Sequence, residues 1–181
     1  KDLETMNGTV GIGCISDTDP QPLLVRSHLG LLAISTIGII NNAEELVDKI
    51  FIQAGHQFML MSSGKVNSTE LVAKLINQCD NIVDGIRYAQ EVIDGSCTIM
   101  IMTPDSLIIA RDKVGRLPVV IGKKDDGYCI TFEDFAYRNL GYDDYKELVP
   151  GEIVVVAEDG VYHLVLIVIV GTWRREYHKN T

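Results

Sequence analysis

The feature that most constrains this sequence is that its strand-like and helix-like periodicities fall in separate blocks. Short aliphatic and β-branched runs come first, at Thr9–Ile15, Leu23–Arg26 and Leu29–Ser35, broken by Gly, Pro and Asp. Helical spacing then takes over. Asn42 opens a stretch in which Leu46, Ile50 and Phe51 form an apolar stripe. Asn67-Ser-Thr-Glu70 has the form of a capping box, with Leu71, Leu75 and Ile76 facing the core. A third helix is predicted over Asp80–Ile93, carried by Ile82, Ile86, Ala89 and Ile93 and closed by Gly95. Strand signals return at Cys97–Met102 and Leu107–Ala110, around the turn Thr-Pro-Asp-Ser. They continue at Val119–Gly122 and Tyr128–Phe132 around Asp126-Gly127, a hairpin signal. A short helix near Glu133–Leu140 precedes a last hairpin, Ile153–Ala157 with Val161–Val170. This segregated order predicts an α+β fold with antiparallel sheets covered by helices, since a parallel α/β sheet needs strict alternation.

The 181 residues, 46% of them hydrophobic, suffice for one domain, read as 1–170 with a tail over 171–181. A net charge of −9 lacks the positive footprint that nucleic acids and anionic membranes require, so neither is expected as a partner. The longest apolar run, Leu164–Val170, is far short of the ~20 residues that cross a bilayer. No apolar core follows Lys1, so no secretory leader is expected there, and the chain reads as cytoplasmic. Cys14, Cys79, Cys97 and Cys129 are widely spaced without a CxxC pair, which excludes a zinc or redox motif; Cys97 and Cys129 read as core thiols. His28, His56, His163 and His178 show no ligand spacing, and no metal or cofactor is expected.

Four stretches in register resemble the class II glutamine amidotransferase domain of amidophosphoribosyltransferases. They are Asn7-Gly-Thr-Val-Gly-Ile-Gly13 followed by Gln21-Pro22, Gly38-Ile-Ile-Asn-Asn-Ala-Glu-Glu-Leu46, Ala110-Arg-Asp-Lys-Val-Gly115 with Pro118, and Val149-Pro-Gly-Glu-Ile-Val154. The resemblance spans roughly residues 3–160. It implies a four-layer αββα sandwich of the N-terminal nucleophile hydrolase type, and a family activity that hydrolyses glutamine and passes ammonia to a phosphoribosyltransferase domain in purine synthesis.

Such a glutaminase needs an activated thiolate, donors for a tetrahedral oxyanion and charged groups for both ends of glutamine. The family nucleophile is an N-terminal Cys. The resemblance places Lys1 several dozen residues inside the family domain, so the nucleophile is expected outside this sequence. The family stretch Gly-His-x-Arg-Tyr-Ser, whose Arg holds the substrate carboxylate, reads Gly13-Cys-Ile-Ser-Asp-Thr18 here: Ser16 stands at the Arg position, and Asp17 beside it would repel a carboxylate. The family His-Asn-Gly-Asn stretch, which makes the oxyanion hole, reads Thr36-Ile-Gly-Ile39. Ile37 thus replaces the donor Asn, a loss worth ~2.7–4 kcal/mol of transition-state stabilisation, while Gly38 is kept. Ser68 stands where the family Asp binds the substrate amino group.

Cys14 is the one cysteine near these positions, but no basic side chain neighbours it in sequence to hold a thiolate, and it reads as a small structural residue. Arg111-Asp112 reads as a structural ion pair or turn contact, and Asp17 with Asp19 as turn residues rather than a cation site. The expectation is an amidophosphoribosyltransferase-like domain without catalytic residues and without glutaminase or transferase activity. Cys14, Ser16, Asp17, Ile37, Gly38 and Ser68 mark its altered substrate site. Glutamine binding is left unsupported, and the expected partner is another protein or a second copy. The alternative is a fragment of an active amidotransferase whose nucleophile lies outside the chain.

Overall fold

The computed structural model describes residues 8–16, 19–54, 61–62, 65–157, 160–169 and 172–179. Its first regular element is a hairpin, β1 (Leu23–Ser27) with β2 (Gly30–Ile40). Three helices follow, α1 (Ala43–Ala54), α2 (Ser68–Ile76) and α3 (Ile82–Val92), with the short pair β3 (Met61–Ser62) and β4 (Lys65–Val66) between the first two. The chain then forms β5 (Gly95–Met102), β6 (Ser106–Ala110), β7 (Val120–Lys124), β8 (Gly127–Thr131), α4 (Asp134–Arg138) and β9 (Asp143–Glu147). It ends in β10 (Ile153–Ala157), β11 (Gly160–Ile169) and β12 (Thr172–Lys179). All described pairings are antiparallel. One sheet runs β1-β2-β5-β6-β10-β11-β12 and another β8-β7-β9.

Period-two alternation assigns each strand residue to one of two cores. Leu32 and Ile34 of β2, Ile99 and Ile101 of β5, Ile108 and Ala110 of β6, and Ile153 of β10 pack against Leu46, Ile50, Leu71, Leu75, Ile86 and Ala89 of the helices. Their neighbours Met100, Leu107, Ile109, Val154 and Val156 face the other way and meet Val119, Ile121, Tyr128 and Ile130 of the small sheet. On that sheet's outer side α4 lays the Tyr137 ring over Gly122, where a Cβ would stand 2.6 Å from the ring. The layers are therefore helix, sheet, sheet and helix: the expected αββα sandwich.

Several local expectations need revision. Thr9–Ile15 has strand composition, yet residues 8–16 adopt no regular structure, because no described strand lies beside them to complete a ladder. Phe51 is 45% exposed and leaves the α1 stripe to Leu46 and Ile50. The Asn42 amide does not cap α1; it donates to the Val92 carbonyl and accepts from the Asp94 N–H, tying the start of α1 to the end of α3. α3 is capped by Asn81, whose Oδ1 accepts from Asp84 N–H at 2.9 Å, so it starts two residues after Asp80. Cys97 is buried as expected, and burial pushes its thiol up to about 12, with the nearby Asp112 carboxylate adding to the shift. Cys129 is only half-buried, since the outer sheet is covered on that side by a single short helix. The segment set apart as a tail supplies the edge strand β12, paired along its length with β11.

The two late family-like stretches fold into one structural knot. Arg111 sends Nε to the Leu117 carbonyl (2.9 Å), Nη2 to the Gly115 carbonyl (3.1 Å) and Nη1 to Leu148 O and Glu147. Asp112 accepts from the N–H groups of Val114, Gly115 and Arg116. The buried Glu152 carboxylate takes Lys146 Nζ and Val149 N–H. The turn contact expected of Arg111-Asp112 is present, but the two side chains serve different partners.

Candidate functional site

Of the positions singled out in the sequence, Ser16, Ile37, Gly38 and Ser68 lie around the far end of β2 and the start of α2. The β1–β2 ladder begins at Leu23↔Ile34, and Pro22, next in line, has no N–H to continue it. The Gln21 side chain substitutes. Its Oε1 accepts from Thr36 N–H (2.9 Å), Ser35 Oγ (2.9 Å) and Thr69 Oγ1 (3.1 Å), while Thr36 Oγ1 and Thr69 Oγ1 lie 2.7 Å apart. One carboxamide oxygen thus binds the strand to the first turn of α2. The motif Gln21-Pro22 was recognisable in the sequence, but its job was not, because the groups it serves are 14 to 48 residues away.

The start of α2 is built around Asn67, fully buried, whose Oδ1 accepts from Glu70 N–H at 3.0 Å. Its Nδ2 reaches the Pro20 carbonyl at 3.5 Å. The Ser68 N–H points at Asp19 Oδ2 (3.4 Å), and the Asp19 N–H donates to Ser16 Oγ (3.2 Å). Ser16, Asp19 and Ser68 are therefore linked, with a carboxylate at the positive end of the helix. Asp19 was read as a turn residue only; its placement at α2 depends on a contact 49 residues distant. Asp17 lies outside the described residues.

Ile37 and Gly38 follow Thr36 on β2, and the ladder sets them opposite Thr98 and Cys97 of β5. Ile37 is 41% exposed and Ile39 60%, while the buried Thr98 Oγ1 has no hydrogen-bond partner among the described residues. Gly38 has φ +147°, and a Cβ there would stand 1.9 Å from the Ser96 carbonyl oxygen. Its retention is thus required by the approach of β2 to β5.

The Cys14 thiol meets only the Ile15 carbonyl, at 3.7 Å. No described base stands within hydrogen-bond reach of it. Among the described residues, no group of three or more His, Cys, Asp or Glu side chains could hold a metal ion. No described helix is long and apolar enough to cross a membrane. Two surface clefts, of about 670 Å³ beside α4 and β9 and about 650 Å³ between α3 and residues 149–152, contain none of these site residues.

A helix-sheet-sheet-helix sandwich of antiparallel sheets is the architecture of the N-terminal nucleophile hydrolases. The glutamine amidotransferase domain family matches residues 10–134, and the chain belongs to that family. It is 30% identical over 164 residues to an amidophosphoribosyltransferase of Methanocaldococcus jannaschii, covering 86% of this chain and 34% of the relative. With that of Bacillus subtilis the identity is 31% over 144 residues, covering 78% and 29%. The solved glutamine phosphoribosylpyrophosphate amidotransferase from B. subtilis, complexed with ADP and GMP, superposes with a TM-score of 0.70 at 29% identity, over 80% of this chain and 31% of that one. The chain therefore spans about a third of the length of these relatives and is an amidophosphoribosyltransferase-like glutamine amidotransferase domain.

Proposed function

We propose that this domain keeps the amidotransferase scaffold without hydrolysing glutamine, and acts by binding another protein chain. The observation that carries the reading is the end of β2. An exposed Ile37 occupies the position expected to donate to an oxyanion, beside a Gly38 that the strand packing demands regardless of chemistry. The linked trio agrees: Ser16 and Ser68 bring no charge, and Asp19 brings a negative one. A substrate carboxylate meets no cation in this trio, and an oxyanion loses a donor worth ~2.7–4 kcal/mol. Gln21, Thr36, Asn67, Thr69, Arg111 and Asp112 hold the fold together.

A second reading is favoured by the one-third coverage of the relatives: a nucleophile supplied from outside these residues would make this a piece of a working amidotransferase. Glutamate release from glutamine separates the two readings. It is assayed with the purified chain and with a form carrying an N-terminal Cys strand placed as in the relatives. Our reading expects no release from either form. Sustained release from the extended form would sink it and establish the second.

A further inference from the structure

The outer face of the three-stranded sheet is covered by α4, whose sequence gives it little stability of its own. With five residues it is far shorter than the ~12–15 at which a helix is even marginal in isolation. Among the described residues the Glu133 side chain caps no N–H of its first turn. Of the five, Tyr137 alone is buried, and Phe135 is 59% exposed. The hold of α4 on the sheet is therefore concentrated in Tyr137. Its ring lies against Gly122 of β7, and its hydroxyl donates to Asp144 Oδ1 at 2.8 Å.

Asp144 belongs to β9 and takes hold of the helix at a second point. Its Oδ1 also accepts from Arg138 Nε at 3.0 Å and its Oδ2 from Arg138 Nη2, which in turn lies 3.0 Å from Asp134. The sheet aims the carboxylate there. β9 pairs with β7 as Lys146↔Ile121 and then Asp144↔Gly122, so Tyr145 is the extra residue of a bulge. The bulge sets Asp144 beside the one residue of β7 that has no side chain, where the Tyr137 ring rests. Cys129, opposite Gly122 on β8, shares this covered face. α4 and β9 are also the two walls of the cleft of about 670 Å³, with Phe135, Tyr137 and Arg138 facing Asp144, Tyr145 and Lys146. The bonds at Asp144 tie one wall to the other.

We infer that α4 is a lid on the outer sheet, latched by Asp144, that opens as a unit while the rest of the domain stays folded. Opening separates Tyr137 and Arg138 from Asp144, parts the two walls of the cleft and bares Gly122 and Cys129. Segments held by few buried apolar contacts open at lower free energy than the core. The two cores rest instead on β2, β5, β6, β10 and the three longer helices. The lid is independent of the glutamine site, whose altered positions all lie on other elements.

Native-state hydrogen exchange of the purified chain, in urea well below the unfolding transition, tests the lid. The Asn139 and Leu140 amides, which donate to Phe135 O and Tyr137 O, report α4, and those of Ile99 and Ile101 report β5. Alkylation of Cys129, read by mass spectrometry, reports the same opening from the sheet side. In the wild type the α4 amides are expected to exchange through an opening that urea barely changes, because it exposes little surface, while Ile99 and Ile101 stay protected. Asp144→Ala is expected to speed α4 exchange at least ~10-fold, the worth of a hydrogen bond to a charged acceptor, and to raise Cys129 alkylation with core exchange unchanged. Asp144→Asn keeps an acceptor for the Tyr137 hydroxyl and is expected to fall between the two. Wild-type α4 amides that exchange only together with Ile99 and Ile101 overturn the inference, whatever the variants do. So does an Asp144→Ala chain whose α4 exchanges as in the wild type, and so does one that loses core protection along with α4.

Discussion

Replacing Gly38 with alanine should damage the fold far more than the addition of a single methyl group suggests. The nearest atoms to the new Cβ are all backbone: Ser96 O at 1.9 Å, Ser96 C at 2.7 Å and Cys97 Cα at 3.0 Å. No side-chain rotation can relieve such a contact. Moving the oxygen out to 3.0 Å means separating β2 from β5 by about 1.1 Å, in the middle of the ladder that carries Ile34, Ile99 and Ile101 into the helix-facing core. Overpacking of this kind costs about 1–3 kcal/mol. Holding a non-glycine residue at φ +147° adds another ~1–3 kcal/mol. Together they predict a loss of roughly 2–6 kcal/mol, a large part of the 5–15 kcal/mol of an ordinary domain. Urea unfolding of Gly38→Ala against the wild type measures it, with Gly13→Ala as control because a Cβ there meets nothing within 4 Å. A Gly38→Ala variant within ~0.5 kcal/mol of the wild type, the range of an ordinary surface substitution, would refute the packing argument and return Gly38 to a purely chemical role.

Removing the Gln21 carboxamide leaves Thr36 N–H, Ser35 Oγ and Thr69 Oγ1 without their shared acceptor. Gln21→Leu should cost about 2–3 kcal/mol in the same unfolding assay, and Gln21→Glu, which keeps an acceptor oxygen, should recover most of it. Cys97 makes stability depend on alkaline pH. Its thiol ionises near 9.0 in the unfolded chain and only near 12 in the folded one, so the stability it protects is intact below pH 9.0 and lost as pH rises from there toward 12. Across that window the wild type should lose ~1.4 kcal/mol per pH unit more than Cys97→Ala, compared by denaturant midpoint. The same shift predicts that alkylation at pH 8 spares Cys97 and modifies Cys14, which mass spectrometry of the labelled peptides will show.

The parts of the fold legible in the sequence were those whose signal is local. Leu71, Leu75 and Ile76 behind Asn67 announce α2, and Asp126-Gly127 announces the β7–β8 turn; both elements form where expected. What stayed hidden depends on partners far along the chain. Thr9–Ile15 has the residues of a strand, but a strand exists only in a ladder, and composition does not say whether a neighbour is present. β9, Asp143–Glu147, has the opposite problem. Its polar run gives no alternation, and it is a strand because β7 pairs with it through a bulge between Ile121 and Gly122. At the site, Ser16, Ile37, Gly38 and Ser68 were found by resemblance, whereas the groups that assemble them, Gln21 and Asp19, make their contacts through single side chains across 14 to 49 residues. Such contacts leave no periodic trace.

We propose that the scaffold persists while the glutamine site does not, and calorimetric titration of glutamine into the purified chain decides the point, because binding needs no nucleophile. The paired measurement uses the triple variant Ser16→Arg, Ile37→Asn and Ser68→Asp, which restores the charges and donor expected of the family. No heat of binding is expected at millimolar glutamine for the chain itself, and measurable binding is expected for the triple variant. Saturable binding of glutamine to the unaltered chain would contradict it.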